Sequence, residues 1–538
     1  MRKSIPYIAA MILIIPFFVL VVFATGLTDN GKELLNSNMS MSIGKENGVL
    51  DTEEGMPLEI TLTEDGNYNL SYSWDVAEPG FLTSITVEDS NGNCVYNDSA
   101  FQVTQPTKNI FLKKGTYVIN WKFAGTEEEF VELNEKLHIF DNETALNDYL
   151  DRVDFDSLSE NGTWNISFSA GVYKPFSSPL WLKALCILLS VLILLLLIIL
   201  LISDRNTETN AAEGLDKVSL RFSVFALAVT FIQLMVSLAL ASLNLDSDPK
   251  LLSLISFALI AISVDLIGFP LICGLTKNIP AREIPKQKIG FFGFIPYIFM
   301  TVGIVIVGMI IGTLVHNAIT SPFGGSSNVL SQLLLSSSPI PRILVVGILA
   351  PVFEELIFRK ILIDRLSKYG TFLAILVSGL FFGLFHGNFS QFFFAAMLGF
   401  LFAFLYAKTG KVILTIILHM MVNLGTSVVT TFIYQKILEV NPSFNLSADY
   451  LSSNPEAAIP VALLGLWFGF AILVGLIGIV IFIIFAATKN FRLERNEGDL
   501  TVSESFRTLF TSRYSWLFIL SCIGLFLFSY LPTILGFK

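Results

Sequence analysis

Two adjacent glutamates stand near the middle of an apolar run that extends from Ile343 to Leu366. An ionised carboxylate is costly in such surroundings, so its presence there indicates a function. On a helix, Glu355 lies four residues before Arg359 and is expected to pair with it, whereas Glu354 points to a different face. The spacing therefore predicts one structural carboxylate, paired with a cation, and one carboxylate that is available for chemistry.

Two further polar positions follow in equally apolar surroundings. His386 ends the sequence Phe382-Gly-Leu-Phe-His386, and His419 begins the sequence His419-Met-Met-Val-Asn423. On helices, the i, i+4 spacing puts His419 and Asn423 on one face and stacks Phe382 against His386. The chain has only 4 histidines, and the two that follow Glu354, His386 and His419, lie within 66 residues of it. This concentration favours a shared site.

Taken in order, Glu-Glu-x-x-x-Arg, Phe-x-x-x-His and His-x-x-x-Asn resemble the three motifs of the CPBP (CAAX protease and bacteriocin-processing, or Abi) family of intramembrane proteases. The resemblance extends from Leu344 to about Val428, which is under a fifth of the chain. It implies a site within membrane helices at which water attacks a peptide bond. The residues matched are the catalytic candidates Glu354, His386, His419 and Asn423, with Glu355 and Arg359 as structural support.

Peptide-bond hydrolysis needs a base that activates water, donors for the oxyanion and a proton for the leaving amine. We expect Glu354 to be the base, with its water held by His386, and we expect His419 and Asn423 to donate to the oxyanion. Two imidazoles and a carboxylate also suffice to hold a catalytic zinc, with Glu354, His386 and His419 as ligands. The resemblance leaves both mechanisms open, so no cofactor is certain, and we expect no tightly bound metal.

The composition is that of a membrane protein. Of 538 residues, 53% are hydrophobic and 14% are charged, and the mean hydropathy of +0.68 excludes a soluble globular protein. The net charge of −10 arises in one segment, because 26 acidic and 9 basic residues lie between Gly26 and Ser178. No basic patch with interleaved aromatic residues indicates nucleic acid binding. Cys94 is the only cysteine in that polar segment, which excludes a disulfide within it.

Apolar runs of spanning length predict an all-α polytopic membrane bundle of about eleven transmembrane helices. The first run follows a basic start and is an anchor or a cleavable signal sequence, which leaves the next segment outside the cytoplasm. Linkers 276–290 and 489–513 are rich in Lys and Arg and are expected inside, whereas the segment from Asn317 to Ile340 has neither residue type and is expected outside. The other runs begin near Leu180, Leu220, Leu251, Phe291, Ile343, Thr371, Phe392, Val412, Ile459 and Trp516.

The polar segment 26–178 shows the alternation that is typical of half-buried strands. Turn sequences such as Asn-Gly and Lys-Lys-Gly separate the alternating stretches. We therefore expect an N-terminal extracytoplasmic β-sandwich-like domain of roughly 100 residues. The alternating stretches begin at Leu58, Tyr68, Tyr117 and Trp164.

These patterns divide the chain into five regions. The first, 1–25, is the anchor or signal sequence, and 26–178 is the β-rich domain. Accessory transmembrane helices follow at 179–340, before a CPBP-like catalytic core at 341–436. Region 437–538 supplies the C-terminal transmembrane helices.

The expected function is an intramembrane endopeptidase that acts on a membrane-associated peptide or protein, of the CAAX type or in peptide maturation. One alternative is a non-catalytic membrane binding or bacteriocin-immunity protein. A second is a transporter with Asp265 and Glu354 as ion sites. Asp265 is another acid in an apolar run, and we expect it to serve helix packing or conformational change rather than catalysis.

Overall fold

The computed structural model of the chain separates into two compact units, Thr28–Ser177 with Asn441–Asn445, and the remainder. The residues that the structure describes are 4–24, 33–43, 45–46, 49–50, 58–63, 65–76, 82–100, 107–124, 131, 164–173, 180–203, 210–242, 254–255, 257–259, 261–282, 284–323, 337–440, 451, 455–493 and 498–534.

The smaller unit contains two antiparallel sheets of four strands each, in the orders β1-β10-β5-β8 and β4-β9-β6-β7, and a short pair, β2-β3. Alternate residues are buried, as Ile60 and Leu62 show on β4. The four predicted strands correspond to β4, β5, β9 and β10, so the β-rich prediction is confirmed for this segment, while its placement outside the cytoplasm stays a prediction. The strands are β1 Glu33–Ile43, β2 Lys45–Glu46, β3 Val49–Leu50, β4 Leu58–Leu62, β5 Gly66–Val76, β6 Leu82–Asp89, β7 Cys94–Ala100, β8 Thr107–Leu112, β9 Gly115–Ala124 and β10 Trp164–Tyr173.

An exposed turn joins β6 to β7 and is closed by Asp89. One carboxylate oxygen of Asp89 accepts the backbone N–H groups of Asn91 and Asn93, at 2.8 and 2.9 Å. Gly92 adopts a φ of +77°, which glycine tolerates without strain. Hydrogen bonds from Asn93 hold the pKa of Asp89 below its ordinary value. Cys94 follows this turn directly and is exposed.

The larger unit is helical. Within the described residues, eight helices are long and apolar enough to cross a membrane: α1, α2, α4, α5, α8, α9, α10 and α12. The other three predicted runs lie in α3, α6 and α7, so the number of eleven stays a prediction. The helices are α1 Ser4–Ala24, α2 Leu180–Ser203, α3 Ala211–Ser242, α4 residues 261–276, α5 Phe291–Thr320, α6 residues 339–366, α7 Thr371–Phe385, α8 Phe389–Thr409, α9 residues 412–440, α10 Pro455–Ala487, α11 Val502–Thr511 and α12 Arg513–Ile534.

Two of the three remaining runs differ from ordinary spanning helices for a direct physical reason. Helix α7 is short, with 15 residues, and α6 carries charged residues at its centre, Glu354, Glu355, Arg359 and Lys360. Part of the predicted outside segment, residues 324–336, lies outside the described residues.

Helices α4, α6 and α9 are irregular. Helix α4 begins with the π-helical segment Ala261–Gly268, α6 contains Arg342–Leu349 and Leu356–Ile361, and α9 contains Leu424–Val429. In α6, Pro351 lies at the start of the α-helical turn Ala350–Glu355. Proline has no backbone N–H, so the regular hydrogen-bond pattern cannot continue through it. Wide helical turns of this kind are frequent at functional sites.

Helices α7 and α8 form an antiparallel hairpin that packs against α6. The connecting turn contains Gly387, whose φ of +65° requires a residue without a Cβ, and Asn388, whose side chain caps α8 by accepting the N–H of Gln391 at 2.9 Å. The two helices are so close at Gly383 that a Cβ added there would come within 2.6 Å of the Cβ of Ala396. The hairpin therefore fixes the end of α7, where His386 lies.

Candidate active site

Glu355 and Arg359 form an ion pair that is completely buried. Nη2 of Arg359 donates to Oε1 of Glu355 at 3.0 Å, and Nε lies 2.9 Å from Oε2 without the alignment of a hydrogen bond. The guanidinium also stacks 4.4 Å above the ring of Phe382. Burial of a charge is tolerated only when it is paired, and this pair satisfies that requirement inside the bundle. The spacing predicted this contact, and the two side chains meet.

His419 lies between the two glutamates. Its Nδ1 is 3.0 Å from Oε1 of Glu355, and its Nε2 is 3.7 Å from Oε2 of Glu354. The carboxylate of Glu355 is paired with Arg359 and can only accept, so Nδ1–H of His419 donates to it. The side chain of His419 is 7% exposed, whereas that of Glu354 is 18% exposed. Glu354 is therefore the accessible member of the glutamate pair.

His386 is half-buried at the C-terminal end of α7. Its Nδ1 lies 2.8 Å from the carbonyl oxygen of Phe382, and because a carbonyl only accepts, Nδ1 carries the proton. In the neutral ring, Nε2 is then the atom that can accept a hydrogen bond from water or substrate. The ring is close enough to Glu354 and His419 to interact with both electrostatically.

Phe382 connects these side chains through ring contacts. Its centroid lies 5.0 Å from that of His386 and 5.7 Å from that of His419, edge to face in both cases. One aromatic ring thus touches both imidazoles and the guanidinium of Arg359. The motif position of Phe382 is explained by this packing.

Asn423 is placed differently from the other predicted residues. Its Nδ2 donates to the carbonyl oxygen of Val346 at 2.9 Å, so the side chain links α9 to the π-helical part of α6. A wide turn leaves carbonyl groups that the helix itself does not satisfy well, and the amide of Asn423 supplies a partner. Glu354, Glu355, His419 and His386 thus lie together, while Asn423 contacts the neighbouring backbone.

Ser378 is a supporting residue that the sequence reasoning did not find. Its hydroxyl donates to the carbonyl oxygen of Phe358 at 2.7 Å and accepts from Nη1 of Arg359 at 3.4 Å. Ser378, Phe382 and His386 recur at every fourth position of α7. A search for polar residues at that spacing would have found it.

Asp265 lies beside this cluster, outside the three motifs. The π-helical start of α4 packs against the α6 turn that bears the glutamates, and Phe269 contacts Phe353 with a centroid distance of 5.1 Å. Asp265 is 3% exposed, and within the described part of the chain neither carboxyl oxygen has a hydrogen-bond partner. It interacts electrostatically with Glu354. No hydrogen-bond partner among the described residues would let it tie helices together.

Glu354, His386 and His419 are the side chains predicted to hold a metal ion if one is bound. Among the described residues, no group of three His, Cys, Asp or Glu side chains is placed to hold a metal ion. Nδ1 of His419 is engaged by Glu355, and its Nε2 faces Glu354 at 3.7 Å. The assignment of Glu354, His386 and His419 as metal ligands stays a prediction.

Residues 336–425 match the family model described as type II CAAX prenyl endopeptidase Rce1-like. The matched stretch includes the glutamate pair, both histidines and Asn423, and it supports the resemblance to the CPBP proteases. Together with the eight apolar helices, it indicates a multi-pass membrane protein with a protease-like core. No curated protein and no solved structure is detectably similar to the chain.

Proposed function

We propose that this chain is an intramembrane endopeptidase that cleaves a membrane-associated peptide or protein, of the CAAX type or in peptide maturation. The observation that carries the proposal is the difference between the two glutamates. Glu355 is engaged by Arg359 and His419, whereas Glu354 is partly exposed and forms no ion pair with Arg or Lys within the described residues. A carboxylate in this position can take a proton from water.

In the proposed reaction, Glu354 removes one proton from a water molecule, and the water oxygen attacks the carbonyl carbon of the scissile peptide bond. His386 holds the same water, because its Nε2 accepts the second hydrogen while Nδ1–H stays bonded to Phe382. The product of this step is a tetrahedral intermediate with an oxyanion. Positioning of the water by two groups lowers the entropic part of the barrier.

His419 and Asn423 are the proposed donors to the oxyanion. With both ring nitrogens protonated, His419 keeps Nδ1–H on Glu355 and offers Nε2–H to the oxyanion. Asn423 uses one amide hydrogen on Val346 and has a second to offer. The C–N bond then breaks, and the proton held by Glu354 passes to the leaving amine. Glu354 thus acts first as base and then as acid.

The test is turnover of a transmembrane reporter by the purified full-length chain in proteoliposomes. We expect Glu354→Gln to lower turnover by ~10²- to 10⁴-fold, the usual contribution of a general base. The matched control is Glu456→Gln, which makes the same chemical change at an exposed position of α10 and should keep wild-type turnover. Protein amounts are matched before rates are compared.

The same assay separates the alternatives. Because residues of one site act as a unit, Glu354→Gln combined with His419→Ala should lose no more than either change alone. If both single variants keep wild-type turnover, the proposal is wrong for this site. No cleavage product from any chain, wild type included, would favour a non-catalytic membrane binding protein or a transporter. Loss of turnover with a strong chelator, restored by zinc, would instead assign Glu354, His386 and His419 as metal ligands.

A further inference from the structure

Three neighbouring cavities of the helical unit form a row that lies outside the candidate active site. The first has a volume of about 320 Å³ and shares Thr371 and Leu493 with the second, of about 510 Å³. The second shares Phe404 and Phe491 with the third, of about 440 Å³. The shared side chains place the three cavities next to one another near the ends of α7, α8 and α10. We name this row of cavities the lipid crevice.

The first section of the lipid crevice is cationic. Arg282, Lys408 and Arg492 line it, and no acidic side chain lines it among the described residues. No ion pair joins these three cations to an acid within the same set of residues. Three positive charges around one cavity repel each other, so the section is complementary to an anion.

Hydrogen bonds hold the cationic section in shape. The backbone N–H of Arg282 donates to the carbonyl oxygen of Asp364 at 2.7 Å, and that of Gln287 donates to Thr409 at 2.9 Å. Gly410 has a φ of +63°, and a Cβ there would come within 2.6 Å of the carbonyl oxygen of Ile284. The loop that carries Arg282 is thus fixed against the ends of α6 and α8.

The far section is entirely apolar. It is lined by apolar residues and glycines of α5, α8 and α10 and by Phe491. These residues lie along the sides of helices that are apolar enough to span a membrane. The cations lie at helix ends or in loops, with Lys408 at the end of α8, Arg492 beyond α10 and Arg282 in the loop before α5. The middle section contains Asp499, which is 7% exposed. Polarity therefore changes along the crevice from charged, at the helix ends, to hydrocarbon-like, along their sides.

We propose that the lipid crevice binds one anionic phospholipid, with its phosphate on Arg282, Lys408 and Arg492 and an acyl chain in the apolar section. The charge of the first section matches a phosphate, and its position at the helix ends matches the level of lipid headgroups. The apolar section accepts a hydrocarbon chain and offers nothing to a free inorganic anion. This site is independent of the proposed protease activity.

The experiment measures lipid binding by native mass spectrometry and by thermal shift on the full chain in detergent. The probes are phosphatidylglycerol, phosphatidylcholine with the same acyl chains, and inorganic phosphate. We expect phosphatidylglycerol to bind and to raise the melting temperature, and the other two probes to do neither. Each cation near a membrane surface contributes about fivefold in affinity, so Arg282→Gln, Lys408→Gln and Arg492→Gln together should weaken binding on the order of 100-fold.

The matched control removes the same number of positive charges from the loop that carries Arg282. Lys277, Lys286 and Lys288 are exposed and do not line the crevice, so their replacement by Gln should change affinity by less than about twofold. Val307→Trp, which narrows the apolar section, should weaken phosphatidylglycerol binding while the fold is retained. Equal loss in the control triple variant would overturn the proposal, as would equal binding of phosphatidylcholine. Inorganic phosphate binding at the phosphatidylglycerol concentration would assign a free-anion site instead.

Discussion

His419 joins two glutamates that have different roles in the proposed site. Its Nδ1 is hydrogen-bonded to Glu355, which forms the buried ion pair with Arg359, and its Nε2 faces the partly exposed Glu354. A change at His419 therefore removes a partner from the buried ion pair and a donor from the proposed reaction together. A change at Glu354 removes only the proposed base, which makes Glu354→Gln the cleaner probe of chemistry.

Arg359→Ala should destabilise the protein. The substitution leaves the carboxylate of Glu355 buried without its cation, and the loss of one member of such a pair costs about 3 to 5 kcal/mol. We expect a lower melting temperature of the purified chain and a lower abundance in membranes, both measured against wild type. Glu355→Gln should act in the same direction.

Lys360→Ala is the matched control for Arg359→Ala, on the next residue of the same helix. Lys360 pairs with Asp364 at 2.7 Å, but its side chain is 42% exposed and Asp364 also accepts the hydroxyl of Tyr406. We expect a cost below about 1 kcal/mol. Equal destabilisation by both variants would show that the buried pair has no special role in stability.

Asp265→Asn should separate stability from turnover. Neither carboxyl oxygen has a partner within the described residues, so the melting temperature should stay the same or rise. Turnover should fall by about tenfold, equivalent to about 1.4 kcal/mol, because the carboxyl group that interacts with Glu354 is replaced by an amide. Unchanged turnover would restrict Asp265 to the packing role that its sequence context suggested.

At the scale of helices, the α7–α8 hairpin determines where His386 lies. Gly383→Val would place side-chain atoms against Ala396, push the helices apart and shift His386, three residues further along α7. We expect a stability loss of roughly 1 to 3 kcal/mol, as in other overpacked positions, together with loss of turnover. Melting curves and the reporter assay measure the two effects.

Gly469→Val is the control for the hairpin variant. A Cβ at Gly469, on α10, meets nothing within 4 Å, so the added side chain should be tolerated. If the Gly383→Val and Gly469→Val variants have the same melting temperature and the same turnover, the close approach of α7 and α8 does not position the site.

Periodicity predicted the contacts that lie within one helix. The i, i+4 spacing anticipated that Glu355 would meet Arg359 and that Phe382 would pack on His386, because both depend on helical geometry alone. The link from Asn423 to Val346 depends on a π-helical turn, which has no simple sequence signature. The unpartnered state of Asp265 depends on contacts between helices distant in sequence. Such contacts are set by tertiary packing.

At the scale of the whole chain, the orientation of the β-rich unit can be tested with its own cysteine. Cys94 is exposed after the β6–β7 turn, and the other three cysteines lie in helices. A membrane-impermeant maleimide should label Cys94 on intact cells, since the first apolar run follows basic residues that we expect in the cytoplasm. Labelling only after lysis would reverse the orientation, and Asn91→Cys at the same exposed turn is a second reporter.

The 15 residues of α7 reach only about 22 Å at ~1.5 Å per residue, which is less than the roughly 30 Å of a bilayer's hydrocarbon core. His386 stands at the end of this short helix, so an α7 that begins at one membrane surface leaves this imidazole inside the hydrocarbon layer. A thinner bilayer then shortens the path by which water reaches the imidazole from the opposite surface. We expect bilayer thickness to control the proposed reaction, with longer lipid tails slowing hydrolysis.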